Sequence, residues 1–142
     1  MKKDNGLDRF VNAQQQHYET ALSEIKSGRK RSHWMWYIFP QIQGLGFSDT
    51  SKFYAINDLD EAQDFLNHPV LGKRLIDICN ELLALPGNDA NAILGSPDDL
   101  KLKSSMTLFA SLNNPNSVFQ LVLDKFYYGT KDEKTLRIIN RV

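Results

Sequence analysis

At Gly28-Arg29-Lys30-Arg31-Ser32-His33-Trp34-Met35-Trp36-Tyr37-Ile38-Phe39-Pro40-Gln41 the helical periodicity of the chain breaks. His33 to Phe39 is a continuous apolar and aromatic run stopped by Pro40, and Gln41 to Gly46 follows with two glycines. So short a run fits a buried strand, a buried helical turn or an ordered loop, because periodicity does not separate these. Residues Ser32 to Ile56 are thus the one segment that resists a helical reading.

On either side the helical signal is clear. Upstream, Phe10, Ala13, Gln14, Tyr18, Ala21, Leu22 and Ile25 recur at spacings of three and four, predicting a helix from about Leu7 to Ser27 that Gly28 ends. Downstream, Asp58 caps a helix through Asn67, with Glu61 completing a capping-box pattern and Ala62, Phe65 and Leu66 forming its apolar stripe. Pro69 opens a stretch in which Leu71, Leu75, Ile78, Leu82 and Leu85 share a face, until Pro86 and Gly87 stop it. Ala90 to Leu94 reads as a short turn closed by Gly95. Ser96 as cap, Pro97 at the first position, and Asp98 and Asp99 in the first turn then start a helix lined by Leu102, Met106, Phe109 and Leu112. A helix from Ser117 to Tyr128 ends at Gly129, and Thr130 with Glu133 is a capping box for a last one through Leu136, Ile138 and Ile139. Connections are short and no repeat or linker is visible. The expectation is a mainly α, single multihelical domain over residues 1–142, with an irregular aromatic-rich segment between its first and second helices.

Composition agrees. A chain of 142 residues, 42% hydrophobic, fits one globular domain of ~100–200 residues. Its 17 basic and 17 acidic residues cancel, which argues against a general nucleic-acid binder. One cysteine, Cys79, excludes an intrachain disulfide and is expected to be buried. After Lys2 and Lys3, residues Asp4, Asn5, Asp8 and Arg9 stand where a secretory signal needs an apolar run, and Trp34 to Phe39 is far shorter than the ~18–20 residues of a spanning helix. A cytoplasmic setting without membrane attachment is expected.

The charge is uneven along the chain. Residues 1–48 hold 7 bases and 4 acids, residues 49–100 hold 3 and 10, and residues 101–142 hold 7 and 3. Lys26, Arg29, Lys30 and Arg31 lead into the aromatic run with no acid before Asp49. Arg29 and Arg31 carry planar guanidinium forks that match phosphate or carboxylate oxygens, and Trp34, Trp36 and Tyr37 offer flat faces for a base or sugar. His33, between them, is the best-placed general acid or base. Against this, the cations also suit a solvated helix end, and the aromatics suit a core. A second cluster, Lys101, Lys103, Ser104, Ser105 and Thr107, could bind phosphate oxygens or simply bond the preceding helical turn. Convergence of the two clusters requires Arg31 and Ser105 on a common face.

Other chemistries lack their motifs. His17, His33 and His68 are scattered and zinc spacings are absent, so no metal is expected. No phosphate-binding G-x-x-x-x-G-K-[ST] loop occurs, and Gly44-Leu45-Gly46 reads as a tight turn rather than a dinucleotide fingerprint. Ser-x-x-Lys occurs at Ser23 and Ser27 without its companion motifs, and no G-x-S-x-G elbow exists.

The Gly28 to Gln41 segment, with Gly44-Leu45-Gly46, resembles the signature of a bacterial family catalogued as domain of unknown function 1810. Asp8-Arg9-Phe10-Val11 with Ala13-Gln14, Tyr54-Ala55-Ile56, His68-Pro69-Val70-Leu71-Gly72, Lys101 to Phe109, and Val118-Phe119 match it in the same order, so the resemblance covers nearly the whole chain. It implies a small, largely helical protein and supplies no reaction or catalytic residues. The label calpastatin carried by some members belongs to a repetitive, largely unfolded inhibitor, which this dense apolar pattern without repeats does not match.

The residues thus point to a small anionic, nucleotide-derived ligand bound through Arg29, Arg31, His33, Trp34 and Trp36, with Lys103 and Ser105 as further candidates and no cofactor. Hydrolase or transferase chemistry, if present, would fall to His33. The alternative is a protein-interaction module in which the same residues form an anchor patch, since Trp, Tyr and Arg dominate interface hot spots.

Overall fold

The computed structural model describes residues 6–140, and every regular element within them is helical. The order is α1 (Asp8–Lys26), α2 (Met35–Ile38), α3 (Asp49–Phe53), α4 (Leu59–Asn67), α5 (Leu71–Ala84), α6 (Ala90–Leu94), α7 (Asp98–Ala110), α8 (Ser117–Tyr127) and α9 (Glu133–Ile139). No helix among the described residues is long and apolar enough to cross a membrane.

Helix α7 is the hub, packing on α4, α6, α8 and α9, while α5 joins α1, α4 and α8. Its residues from Ser104 to Phe109 are all buried, a helix covered on every side. Two of the three hydroxyls on it are accommodated locally: Ser104 Oγ donates to Leu100 O at 3.2 Å, and Thr107 Oγ1 to Lys103 O at 2.8 Å. Rings from four segments meet edge to face or tilted through the centre, Phe10 on Phe65, Phe65 on Phe109 and Phe109 on Phe119.

The expected irregular segment contains two short helices, α2 and α3, and a single parallel bridge between Ile42 and Ile56. The apolar run from Trp34 therefore resolves as one buried helical turn. Gln43 N donates to Ile56 O and Ile56 N to Gln41 O, both at 2.8 Å, so the two ends of the loop are sewn together beneath Gly44 to Tyr54.

Three helix starts differ in detail from the expectation. The start of α7 is Asp98 with Pro97 at the cap, and Ser96 is exposed before a cis Ser96–Pro97 peptide. Helix α9 is capped by Asp132, which accepts from Thr135 N, whereas the Thr130 hydroxyl turns back to Tyr127 O. At α4, Asp58 accepts from Glu61 N as expected, but the Glu61 carboxylate reaches Asn57 N and pairs with Arg9 at 3.2 Å. At α9 a carboxylate takes the cap that pattern alone gave to Thr130, at α7 Pro97 stands at the cap without a side-chain bond, and at α4 Asp58 keeps its cap while Glu61 turns to other partners.

Candidate functional site

Glu24, on the last turns of α1, organises the basic and aromatic segment. Its carboxylate accepts from Arg31 N at 2.7 Å, Ser32 N at 3.0 Å, Ser32 Oγ at 2.6 Å and the Trp34 indole N–H at 2.9 Å. Burial opposes its ionisation, but these four donors outweigh burial and hold the carboxyl at about 2, from an ordinary 4.5. The indole of Trp34 is consequently fixed in the core, 1% exposed.

From Trp34 the α2 turn carries Met35, Tyr37 and Ile38 inward and leaves Trp36 half-buried. Tyr37 lies under the turn, its hydroxyl 2.8 Å from His17 Nδ1 and donating to His33 O at 3.2 Å. Burial, reinforced by the neighbouring Tyr54, raises its phenol above the ordinary value.

Two lysines flank the tryptophans. Lys30 Nζ stands 5.1 Å from the Trp34 ring centre and Lys101 Nζ 3.8 Å from that of Trp36. Both pair with Asp98, at 3.0 and 3.1 Å, so two cations share one anion beside the aromatic turn. Lys30 of the basic segment and Lys101 of α7 therefore meet at Asp98, whereas Arg31 and Ser105, on which the expected convergence of the two clusters rested, do not share a face.

Trp36 also lines a cleft of about 420 Å³ whose other walls are Gln41 to Phe47, Ser51, Lys52, Tyr54, Ala55 and Asn57. Gly46 approaches Ser51 so closely that a Cβ there would lie 2.6 Å from Ser51 Oγ, and Gly44 takes φ 98°. The Gly-x-Gly turn is thus the cleft's wall. Ser48 caps α3 by accepting from Ser51 N, and Ser51 Oγ donates back to Ser48 O. In the lining Lys52 is the one charged side chain, and the side chains of half-buried Gln41 and Tyr54, and of Asn57, have no hydrogen-bond partner among the described residues. Among the described residues no carboxylate, imidazole or thiol lines it.

The residues singled out from sequence occupy several environments. Arg29, Arg31 and His33 are exposed, and none of them lines the cleft. Arg31 borders a shallow hollow with Glu19 and Glu24. Trp34 is core, Trp36 is cleft wall, and Lys103 is half-buried beside Tyr127 at 5.9 Å from its ring centre. Ser105 is fully buried and its hydroxyl has no partner among the described residues, so it presents nothing to the surface on which Arg31 lies. Sequence reasoning passes over Glu24 and the cleft's polar walls, and it names Lys30, Asp98 and Lys101 without their pairing. The sequence places Asp98 at the helix start, and only the fold shows its second role, as acceptor for two lysines.

The family described as "Protein of unknown function (DUF1810)" matches residues 4–139. The chain belongs to this family. A crystal structure of a conserved hypothetical protein, Rv1873 from Mycobacterium tuberculosis, is similar at 43% identity and a TM-score of 0.93, covering 96% of this chain and 97% of that one. The all-helical fold of the DUF1810 chain is thus seen in a solved relative. No curated protein matches it.

Proposed function

We propose that the protein binds a small anionic, nucleotide-derived ligand in the Trp36 cleft. The observation that carries this reading is the pairing of Trp36 with Lys101 at 3.8 Å. A cation on one face of the indole disfavours a second cation on the ring, so a guest that stacks there is neutral at the stacked ring, and the positive charge beside it favours a guest that carries an anionic group elsewhere. Lys52 in the lining and the surplus lysine of the Lys30–Asp98–Lys101 cluster act in the same direction. The cleft is of a size that suits a metabolite, within the ~300–1,000 Å³ usual for such sites. Among the described residues its lining holds no carboxylate, imidazole or thiol, and its serine, Ser51, donates to Ser48 O rather than to a base, which supports a binding role over hydrolase or transferase chemistry.

Thermal unfolding with inorganic phosphate, ribose 5-phosphate, AMP and ADP-ribose tests this on the wild type and on Trp36→Ala and Lys52→Met. A ligand at 100 times its Kd adds ~2.7 kcal/mol to the native state and raises the midpoint. The shift should shrink in both variants. Failure of every anion to move the wild-type midpoint would overturn the reading. The protein-interaction alternative would then gain, since Phe47 and Phe53 are 80% and 58% exposed.

A further inference from the structure

The cleft has a second aromatic residue at its mouth, and its placement narrows the class of ligand. Phe47 lines the cleft yet is 80% exposed. This is the position of a held loop. Gly46 before it is packed against Ser51, Ser48 after it caps α3, and the ends of the loop are joined by the Ile42–Ile56 bridge. A phenyl ring fixed mostly in water leaves apolar area that a guest could cover. Trp36 belongs to the same lining, with one face taken by Lys101, and the half-buried Gln41 amide stands there without a hydrogen-bond partner among the described residues. Two aromatic faces and a free amide match a flat heterocycle that carries both donors and acceptors on its edge. A sugar phosphate offers only the C–H face of a puckered ring and lacks the planar donor and acceptor edge of a base.

Resting on the reading above, we infer that the cleft recognises the base of a free nucleotide. Phe47 and Trp36 clamp the ring, Gln41 meets its edge, and Lys52 takes the phosphate. Phe47 is then the residue that separates nucleotides from other small anions. Because its side chain is exposed, its loss should leave the fold intact.

Fluorescence titration reads this directly, because Trp36 is in the site while Trp34 is sealed in the core. The probes are AMP, GMP, CMP and UMP, with adenosine, ribose 5-phosphate and a single-stranded ten-nucleotide DNA alongside. The proteins are wild type, Phe47→Ala and Gln41→Ala. The expected result is that Phe47→Ala weakens nucleotide binding by about tenfold or more at an unchanged melting temperature, as loss of one stacking face should. Gln41→Ala should change the ranking among the four bases. Ribose 5-phosphate binding as tightly as AMP, with Phe47→Ala indifferent, would overturn the base clamp and leave the anion reading standing. Adenosine binding as tightly as AMP, with sensitivity to Phe47→Ala, would support the clamp and overturn the anion reading. Tight, steeply salt-dependent binding of the ten-nucleotide strand in preference to AMP would overturn the assignment to a free nucleotide.

Discussion

The indole N–H of Trp34 donates to Glu24 Oε1 at 2.9 Å, and the same carboxylate holds Arg31 N, Ser32 N and Ser32 Oγ. One side chain of α1 thus fixes the segment that carries Trp36 to the cleft wall. Glu24→Ala removes all four contacts and leaves the Trp34 N–H without its acceptor in the core, a loss of about 2–4 kcal/mol. The urea midpoint at neutral pH should fall accordingly, while Glu24→Gln, which keeps one acceptor oxygen, should lose less.

Acid should erase that difference. The Glu24 carboxyl sits at about 2 in the folded chain against an ordinary 4.5. A depressed folded value means that its stabilisation is complete above the unfolded pKa and is lost as pH falls through the folded one. Urea midpoints of wild type and Glu24→Ala should therefore converge between pH 4.5 and 2. A gap that persists unchanged to pH 2 would show that the charge on Glu24 does not hold the segment.

Gly72, at the start of α5, is irreplaceable for a steric reason. A Cβ there would lie 1.9 Å from the Leu66 carbonyl oxygen of α4, which is backbone and has no rotamer to change. Gly72→Ala should cost about 3 kcal/mol or more by forcing α4 and α5 apart, measured as a drop in the urea midpoint. An unchanged midpoint would mean that the helix pair separates freely.

Cys79 is fully buried on α5, its sulfur 3.7 Å from Met106 Sδ, and burial pushes its thiol up from the ordinary value. The thiolate is the reactive form, so the folded protein should be inert to a thiol reagent at pH 8. Reaction should appear only with urea, tracking unfolding measured by circular dichroism. Rapid labelling without denaturant would contradict the buried placement.

The helices were legible because their signals are local. The stripe from Phe10 to Ile25 and the Asp58 cap depend on neighbours three or four residues away, and both are present in α1 and α4. The Trp34 run was ambiguous for the opposite reason: its conformation is decided by Glu24, ten residues earlier, and by the packing of α2 on α1. The candidate site was less legible still. Arginines and histidine beside tryptophans suggested a single cluster, yet the α2 turn sends Trp34 inward and Trp36 to the cleft while Arg29, Arg31 and His33 stay in solvent. Lys30 and Lys101 are 71 positions apart and share Asp98, a relation that no sequence window contains. The hydroxyls of α7 have two readings from sequence, phosphate binding or bonds to the preceding turn, because residue type alone does not tell which face of a helix is covered. In a helix covered on every side they are inside, where the preceding turn satisfies Ser104 and Thr107.

Tyr128 is the position where substitution should raise stability. It closes α8 in the left-handed region at φ 56° and ψ 30°, and its ring is 90% exposed. A residue with a bulky side chain pays for that conformation through crowding of Cβ against the following carbonyl, about 1–2 kcal/mol. Asparagine tolerates it far better, and so little of the ring is covered that little packing is lost on removing it. Tyr128→Asn should therefore stabilise by about 0.5–1 kcal/mol, and Tyr128→Val, β-branched and ill suited to positive φ, should destabilise. Two exposed substitutions at one site with opposite signs separate backbone strain from side-chain contact, since truncation alone would move both variants in one direction. If both urea midpoints fall, the ring contributes more through its contacts at the end of α8 than the left-handed turn takes away.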